Sequence, residues 1–459
     1  MFEIDFKKPV HIYFIGIGGI SMSGLAEILL SEGFQVSGSD TKESPLTNKL
    51  SSLGARIYYG QTVSHIDNSV ELVVYTAAIR EDNPEYIFMK QQNIPHLSRA
   101  ELLGQLMRNY KFPVAVSGTH GKTTTTSMIS EVLLASDTDP TLSIGGILKS
   151  IDGNIRIGKS PYFVTEACEY TNSFLSFYPK IGIILNVEED HMDFFKDIHE
   201  IRDSFHKFSQ LIPADGTLII NDEIEESDKI TANLECRIIR YGFRDDCDYF
   251  AVDISYDEMG YGRYTLVRKG LPSLKVSLGV PGLHNISNSL ATFALSDVLG
   301  LPPENTLTAL KEFKGTERRF EYKGQIGGIT IIDDYAHHPT EITATLTAAA
   351  NYPHHRLWCV FQPHTYTRTK AFLKEFALAL SQADKIVLAE IYAAREVNTL
   401  NISSLDLKKE IEKLGKECFY FPTFDEIENF LLQNSINGDL LITMGAGDIV
   451  KVGENLLGI

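Results

Sequence analysis

The sequence predicts an α/β fold in three domains. Three observations carry that expectation. The chain has 459 residues, more than one hydrophobic core usually serves. Short β-branched and aromatic runs alternate with stretches of helical periodicity along its length. Two glycine turns, "GIGGISMSG" at 16–24 and "SGTHGKTTTT" at 117–126, each follow such a run and open a helix.

The first domain is expected over residues 1–109. "VHIYFIG" reads as a buried strand, and "LAEILLSEG" as a helix whose apolar positions Leu25, Ile28 and Leu29 stop at Gly33. "FQVSGSD", "ARIYYG" and "ELVVYTAAI" read as further strands. Strand, glycine turn, helix and strand make a Rossmann-like unit. The dinucleotide fingerprint G-x-G-x-x-G is incomplete, because Ser21 stands at the third glycine. Gly16, Gly18 and Gly19 still let backbone N–H groups approach a diphosphate at a helix N-terminus, and Asp40 ends the next strand. From this turn alone NAD, another nucleotide diphosphate and a purely structural bend all stay open.

The second domain is expected over 110–317, as a P-loop-type ATPase unit. "PVAVSG" is its leading strand, and Met128, Ile129, Val132 and Leu133 line one face of the following helix. "YFVTEAC", "IGIILNV" and "TLIIND" read as buried strands of a mostly parallel sheet. A P-loop reads G-x-x-x-x-G-K-[ST], yet Val116 occupies the first glycine position. Gly118 and Gly121 permit the tight turn, with Thr119 and His120 between them. Lys122 supplies a cation for the β- and γ-phosphates, and Thr123 or Thr124 a hydroxyl for Mg2+. Glu166 ends one buried strand, and Glu188, Asp190, His191 and Asp193 follow another, so carboxylates gather where such a metal would sit. Cys168 reads as a small packing residue. Asn285 and Asn288, three apart at a helix start, offer the donor and acceptor that a purine edge needs.

The third domain is expected over 318–459 and is again Rossmann-like. Its strands are "GITIIDD", "LWCVFQP", "KIVLAEIY" and "DLLITMG", with a helix over "TKAFLKEFALALSQ". Arg318 and Arg319 suit a transferring phosphoryl group. Asp333, Asp334, Tyr335, His337 and His338 cluster after one strand, His364 and Arg368 after another, and these histidines show no metal-ligand spacing.

Bulk composition narrows the partners. A net charge of −18 argues against nucleic acid and anionic membranes. No apolar run approaches bilayer length, and the N-terminal stretch does not read as a signal peptide. Five scattered cysteines without a C-x-x-C pair fit a reducing cytoplasm.

Taken in order, "GIGGISMSG", "SGTHGKTTTT", "EACEY", "NVEEDHMD", "HNISNSLA", "RRFE", "DDYAHHPTEI", "FQPHTYTRT" and "MGAGDI" resemble the Mur ligases over nearly the whole chain. That family carries G-T-x-G-K-[ST] at the second turn, which accounts for Val116. The resemblance implies an ATP- and Mg2+-dependent ligase of peptidoglycan synthesis that joins L-alanine to UDP-N-acetylmuramate through an acyl phosphate. It implies that Gly16, Gly18, Gly19, Asp40, Thr76, Ala77 and Ala78 bind the UDP substrate. Gly118, Thr119, His120, Gly121, Lys122, Thr123, Thr124, Asn285, Asn288, Arg319 and Asp334 are the expected ATP contacts, and Thr123, Glu166 and His191 the expected metal ligands. Lys122, His191, Arg319, His338 and Arg368 are the expected catalytic set, with His338, His364 and Arg368 near the amino acid. A monomer or weak homodimer is expected. The family often reads E-A-D-E-S-D where this chain has "EACEYT", so Cys168 and Tyr170 depart from the pattern. The nearest alternative is a ligase attaching a whole recycled tripeptide to the same sugar nucleotide. Folate polyglutamate ligases lack the first glycine turn, a dehydrogenase leaves "GTHGKTT" unexplained, and a P-loop switch leaves "DDYAHH" unexplained.

Overall fold

The protein is described from a computed structural model, which covers residues 2–76, 79–192, 194–394 and 396–459. Three sheets follow one another along the chain. The first has five parallel strands in the order Arg56–Tyr59, Gln35–Asp40, His11–Ile15, Leu72–Tyr75, His96–Ser98. The chain leaves His11–Ile15 toward one side and later returns on the other. The turn after that strand is therefore the topological switch point, where open α/β sheets hold ligands.

The second sheet has ten strands, and its leading strand Phe112–Ser117 lies between Tyr162–Ala167 and Ile181–Ile184, all parallel. The pairs Val116 with Glu166 and Ser117 with Ile184 bring three strand ends to the phosphate-loop side. An antiparallel meander, Tyr249–Tyr256, Tyr261–Arg268 and Leu271–Pro281, extends one edge. The third sheet has six strands, and among the described residues only Glu321–Ile326 runs antiparallel to its neighbour. Asp334 pairs with Met444, and Met444 with Phe361, so their carboxyl ends form one rim.

The central strands, such as His11–Ile15, Ile181–Ile184, Leu357–Phe361 and Leu440–Met444, are buried apolar runs, as sheets covered on both faces require. One apolar cluster runs from Ile12, Leu25 and Leu102 of the first sheet's layer to Phe163, Phe174 and Phe208 of the second. The first and second units therefore share a core. The helix expected over "TKAFLKEFALALSQ" is two helices, Tyr366–Ala371 and Leu373–Leu380, because Phe372 (φ −112°, ψ 28°) leaves the helical region. Its ring packs edge-on against His338 at 4.9 Å. Among the described residues no helix is long and apolar enough to cross a membrane.

Candidate active site

The phosphate loop is held by its own sheet before any ligand arrives. Gly121 takes φ 81°, and a Cβ there would meet the Asn288 amide at 3.1 Å. Glycine thus permits both the turn and the close approach of the second helix, Leu283–Val298. The Asn186 amide clamps His120 from both sides, accepting from its N–H at 2.7 Å and donating to its carbonyl at 3.1 Å. Thr119 Oγ1 accepts from the Glu188 N–H at 2.9 Å. Lys122 opens the helix Lys122–Ala135, and its Nζ donates to the Gly118 carbonyl at 2.5 Å, the Thr119 carbonyl at 3.1 Å and Glu169 at 3.1 Å. Burial opposes its charge, but Glu169 beside it raises the ammonium above its ordinary range.

Thr123 donates to Glu166 Oε2 at 3.1 Å, and the other carboxylate oxygen accepts the Gly145 N–H at 2.5 Å. Burial pushes this carboxyl up despite both bonds. Those are the marks of a carboxylate short of a cation, and a hydroxyl beside a carboxylate is an oxygen pair that suits Mg2+. His191 has different company: it stacks on Tyr170 at 4.5 Å and lies 3.8 Å from Asp190. Cys168 is a free thiol that burial pushes up, as fits an inert packing residue.

A cavity of about 360 Å³ opens beyond the loop, lined by His120, Gly121 and Thr124, by Asn285 and Asn288, and by Arg319 and Asp334 from the third unit. Most of the expected ATP contacts therefore share one wall system. Asn285 and Asn288 are joined at 3.2 Å, and Asn285 is tied back to the Pro281 carbonyl at 2.7 Å. Of the two arginines, Arg318 is spent on structure, bonding Asp333 at 3.0 Å and the Gly445 carbonyl at 2.7 Å. Arg319 lies over the Tyr335 ring at 5.1 Å and faces the cavity. Asp334 accepts the Phe320 and Ala336 N–H groups, and burial pushes it up to about 6.

Three contacts sew the loop side to the third unit. His120 meets Glu341 at 3.1 Å, Thr340 donates to Glu188 at 2.8 Å, and Arg368 donates to Asp190 at 2.9 Å. Burial opposes charge on His120, but Glu341 and Glu188 together bring it to about 9. A second cleft, about 620 Å³, holds Asp190, His191, His364 and Arg368. Arg368 meets His364 Nδ1 at 3.1 Å. His338 is not in this group; it caps the helix Pro339–Ala350 and faces His120, ring to ring at 4.9 Å.

In the first unit Gly18 donates its N–H to Asp40 at 2.8 Å, and a Cβ there would strike that carboxylate, which is why the turn takes glycine. A Cβ on Gly16 would meet Thr76 at 3.1 Å, so both walls of the switch point touch, while Gly19 caps the next helix. Ala77 and Ala78 lie outside the described residues, as does Asp193. Sequence reasoning passed over Arg99. It begins the helix Arg99–Met107 and donates to Ser21 Oγ in the glycine turn at 3.0 Å. Among the described residues no carboxylate pairs with it. Burial lowers the guanidinium, with the Cys168 thiol nearby. Arg99 is partly buried, and a desolvated cation without a counter-ion is costly.

Fold and site define a nucleotide-dependent ligase assembled from three α/β units, and the chain belongs to the Mur ligase family. Its models match in sequence order: the Mur ligase family catalytic domain over residues 11–111, the Mur ligase middle domain over 116–296, and the Mur ligase glutamate ligase domain over 318–447. A protein of Agathobacter rectalis named UDP-N-acetylmuramate–L-alanine ligase is 59% identical over 457 residues, with both chains covered in full. The crystal structure of a UDP-N-acetylmuramate–alanine ligase from Thermotoga maritima superposes with TM-score 0.79 at 30% identity, covering 98% of each chain. That of a murein peptide ligase from Psychrobacter arcticus gives 0.69 at 25%, again over 98% of each.

Proposed function

We propose that this chain joins L-alanine to the lactyl carboxylate of UDP-N-acetylmuramate, converting ATP to ADP and phosphate. One observation carries the reading. His120, Gly121 and Thr124 of the phosphate loop share one cavity with Arg319 and Asp334 of the third unit and with Asn285 and Asn288, and the same loop carries Lys122 and the bonded pair Thr123–Glu166. The full-length relatives bearing that activity in their names support the choice of substrates.

The units divide the work, at boundaries near residues 109 and 317. The first holds the sugar nucleotide at Gly16, Gly18, Gly19, Asp40 and Thr76, with Arg99 against its anionic part. The second holds the ATP phosphates at the loop from Gly118 to Thr124, and adenine at Asn285 and Asn288. The third brings Arg319 and Asp334 to the nucleotide and Arg368 and His364 to the amino acid. Thr123, Glu166 and His191 would hold Mg2+; bound there, the ion would offset phosphate charge. The ATP demand places the reaction in the cytoplasm.

The chemistry runs in two displacements. A lactyl carboxylate oxygen attacks the γ-phosphorus, and the bond to the β-phosphate oxygen breaks as ADP leaves. Lys122 and Arg319 offset charge on the equatorial oxygens. The amine of L-alanine then attacks the acyl carbon, and phosphate leaves with the carboxylate oxygen. Of the ammonium's protons one stays on the amide, one departs with phosphate and one goes to solvent. Acyl phosphates hydrolyse, so water must be kept out. The contacts of His120 with Glu341 and Arg368 with Asp190 support closure of the third unit as the means.

Oxygen transfer tests the scheme. With 18O in the lactyl carboxylate, one labelled oxygen is expected in each inorganic phosphate released; unlabelled phosphate would exclude the acyl phosphate. Arg99→Met is expected to raise KM for the sugar nucleotide about tenfold or more and leave KM for ATP within about twofold, an interaction worth about 1.4 kcal/mol or more. Equal effects on both constants would show that Arg99 only supports the fold.

A further inference from the structure

We propose that His120, Glu188 and His338 form a binding site for a divalent transition ion of the Zn2+ class, at the seam between the phosphate loop and the third unit. One ligand atom from each residue lies within 4.8 Å of the others. His120 Nε2 and Glu188 Oε2 are already 3.5 Å apart. Two ligands bonded at about 2.0–2.2 Å to one tetrahedral ion sit roughly 3.3–3.6 Å from each other. The site needs a side-chain adjustment and no new backbone path.

The second observation is independent of that spacing. Nε2 of His120 and Nε2 of His338 are both buried without a hydrogen-bond partner, and His338 is only 5% exposed. Buried polar atoms are normally bonded, so an unbonded His338 Nε2 beside a His120 Nε2 that has only the 3.5 Å ion-pair contact with Glu188 calls for a ligand. His120 also carries the outer partner that metal-bound imidazoles use, since Nδ1 meets the Glu341 carboxylate at 3.1 Å. His338 Nδ1 makes only a long contact, accepting from the Thr340 N–H at 3.4 Å. Glu188 and Glu341 together supply the two negative charges that balance a dication.

The ligand chemistry sets this site apart from the Thr123–Glu166 pair. Two imidazoles and one carboxylate suit Zn2+, Co2+ or Ni2+, whereas Mg2+ takes oxygen ligands. The three residues come from three separated segments, which is why no local spacing announces them. A bound ion would fasten the helix Pro339–Ala350 to the phosphate loop and hold the seam shut. The other group of metal-type residues, Asp222, Asp246 and Cys247, makes no such site, because Arg240 and Arg244 already hold Asp222.

The test needs neither substrate nor turnover, so it stands or falls apart from the ligase reading. The full chain, stripped with a chelator and dialysed, is titrated with Zn2+ alone against a chromophoric competitor, and with Co2+ by visible absorption. One ion per chain is expected, with the d–d bands of a low-coordinate nitrogen and oxygen site. Glu188→Gln and His338→Ala should each weaken Zn2+ at least about tenfold and abolish the rise in melting temperature that Zn2+ gives the unmodified chain. Glu166→Gln should bind as the unmodified chain does. Melting each variant without metal shows that it is folded. Absence of stoichiometric binding, equal affinity in Glu188→Gln, or loss of binding in Glu166→Gln would each overturn the proposal.

Discussion

Replacing Lys122 with methionine is expected to cut ADP release about a hundredfold to a thousandfold, the largest effect of any single substitution in the site. In the structure the ammonium is occupied by the loop's own Gly118 and Thr119 carbonyls and by Glu169. These oxygens stand where phosphate oxygens would compete for the same cation. Methionine keeps the stem and removes the charge, so packing against the loop survives. The substitution also leaves Glu169 buried, 2% exposed, without its cation. A double change, Lys122→Met with Glu169→Gln, separates the two effects. Stability should recover in the double variant and ADP release should not. If Lys122→Met alone retained more than about a tenth of the rate, the loop would not be the phosphate site.

Arg368→Ala is expected to act on a different constant. Its guanidinium pairs with Asp190 at 2.9 Å, and both side chains are largely buried, 12% and 9% exposed. Burial opposes the Asp190 charge, yet Arg368 holds the carboxyl well below its usual range. Breaking a buried pair by removing one partner costs about 3–5 kcal/mol, because the other charge is left uncompensated. Arg368 comes from the third unit and Asp190 from the second, so the cost falls on the closed arrangement. A fall of about a hundredfold in kcat/KM for L-alanine is expected, with KM for ATP little changed. Steady-state kinetics with each substrate varied in turn checks this. An equal rise in KM for ATP would place the pair in nucleotide binding.

How much of this was legible in the chain depends on whether a feature is local. The glycine turns, the GKT sequence, Glu166 at a strand end and Asp334 at another are short-range signals, and each lies at the sheet edge its strand implied. The meander of residues 249–281 was not read, because alternating strands with exposed faces carry a weak periodic signal. The break at Phe372 was hidden inside an apolar run that is helical on either side. His120 and Glu341 are 221 positions apart, and sequence gives no means of knowing that a loop histidine meets a helix of another unit. Arg99 was missed for a similar reason. Nothing near it in the chain is unusual; only the fold shows a partly buried cation with no carboxylate partner among the described residues. The metal trio was expected from the family resemblance, and the structure joins Thr123 to Glu166 while stacking His191 on Tyr170.

The central claim is that the ATP site serves the addition of one amino acid to a sugar nucleotide. Acceptor dependence tests it most directly. ADP release is measured with the purified chain, ATP, Mg2+ and UDP-N-acetylmuramate, adding L-alanine, the tripeptide L-Ala–D-Glu–meso-diaminopimelate, or neither. The account predicts release with L-alanine and little without an acceptor. Release with the tripeptide but not with L-alanine would contradict it, and would make the cleft of His364 and Arg368 a peptide site.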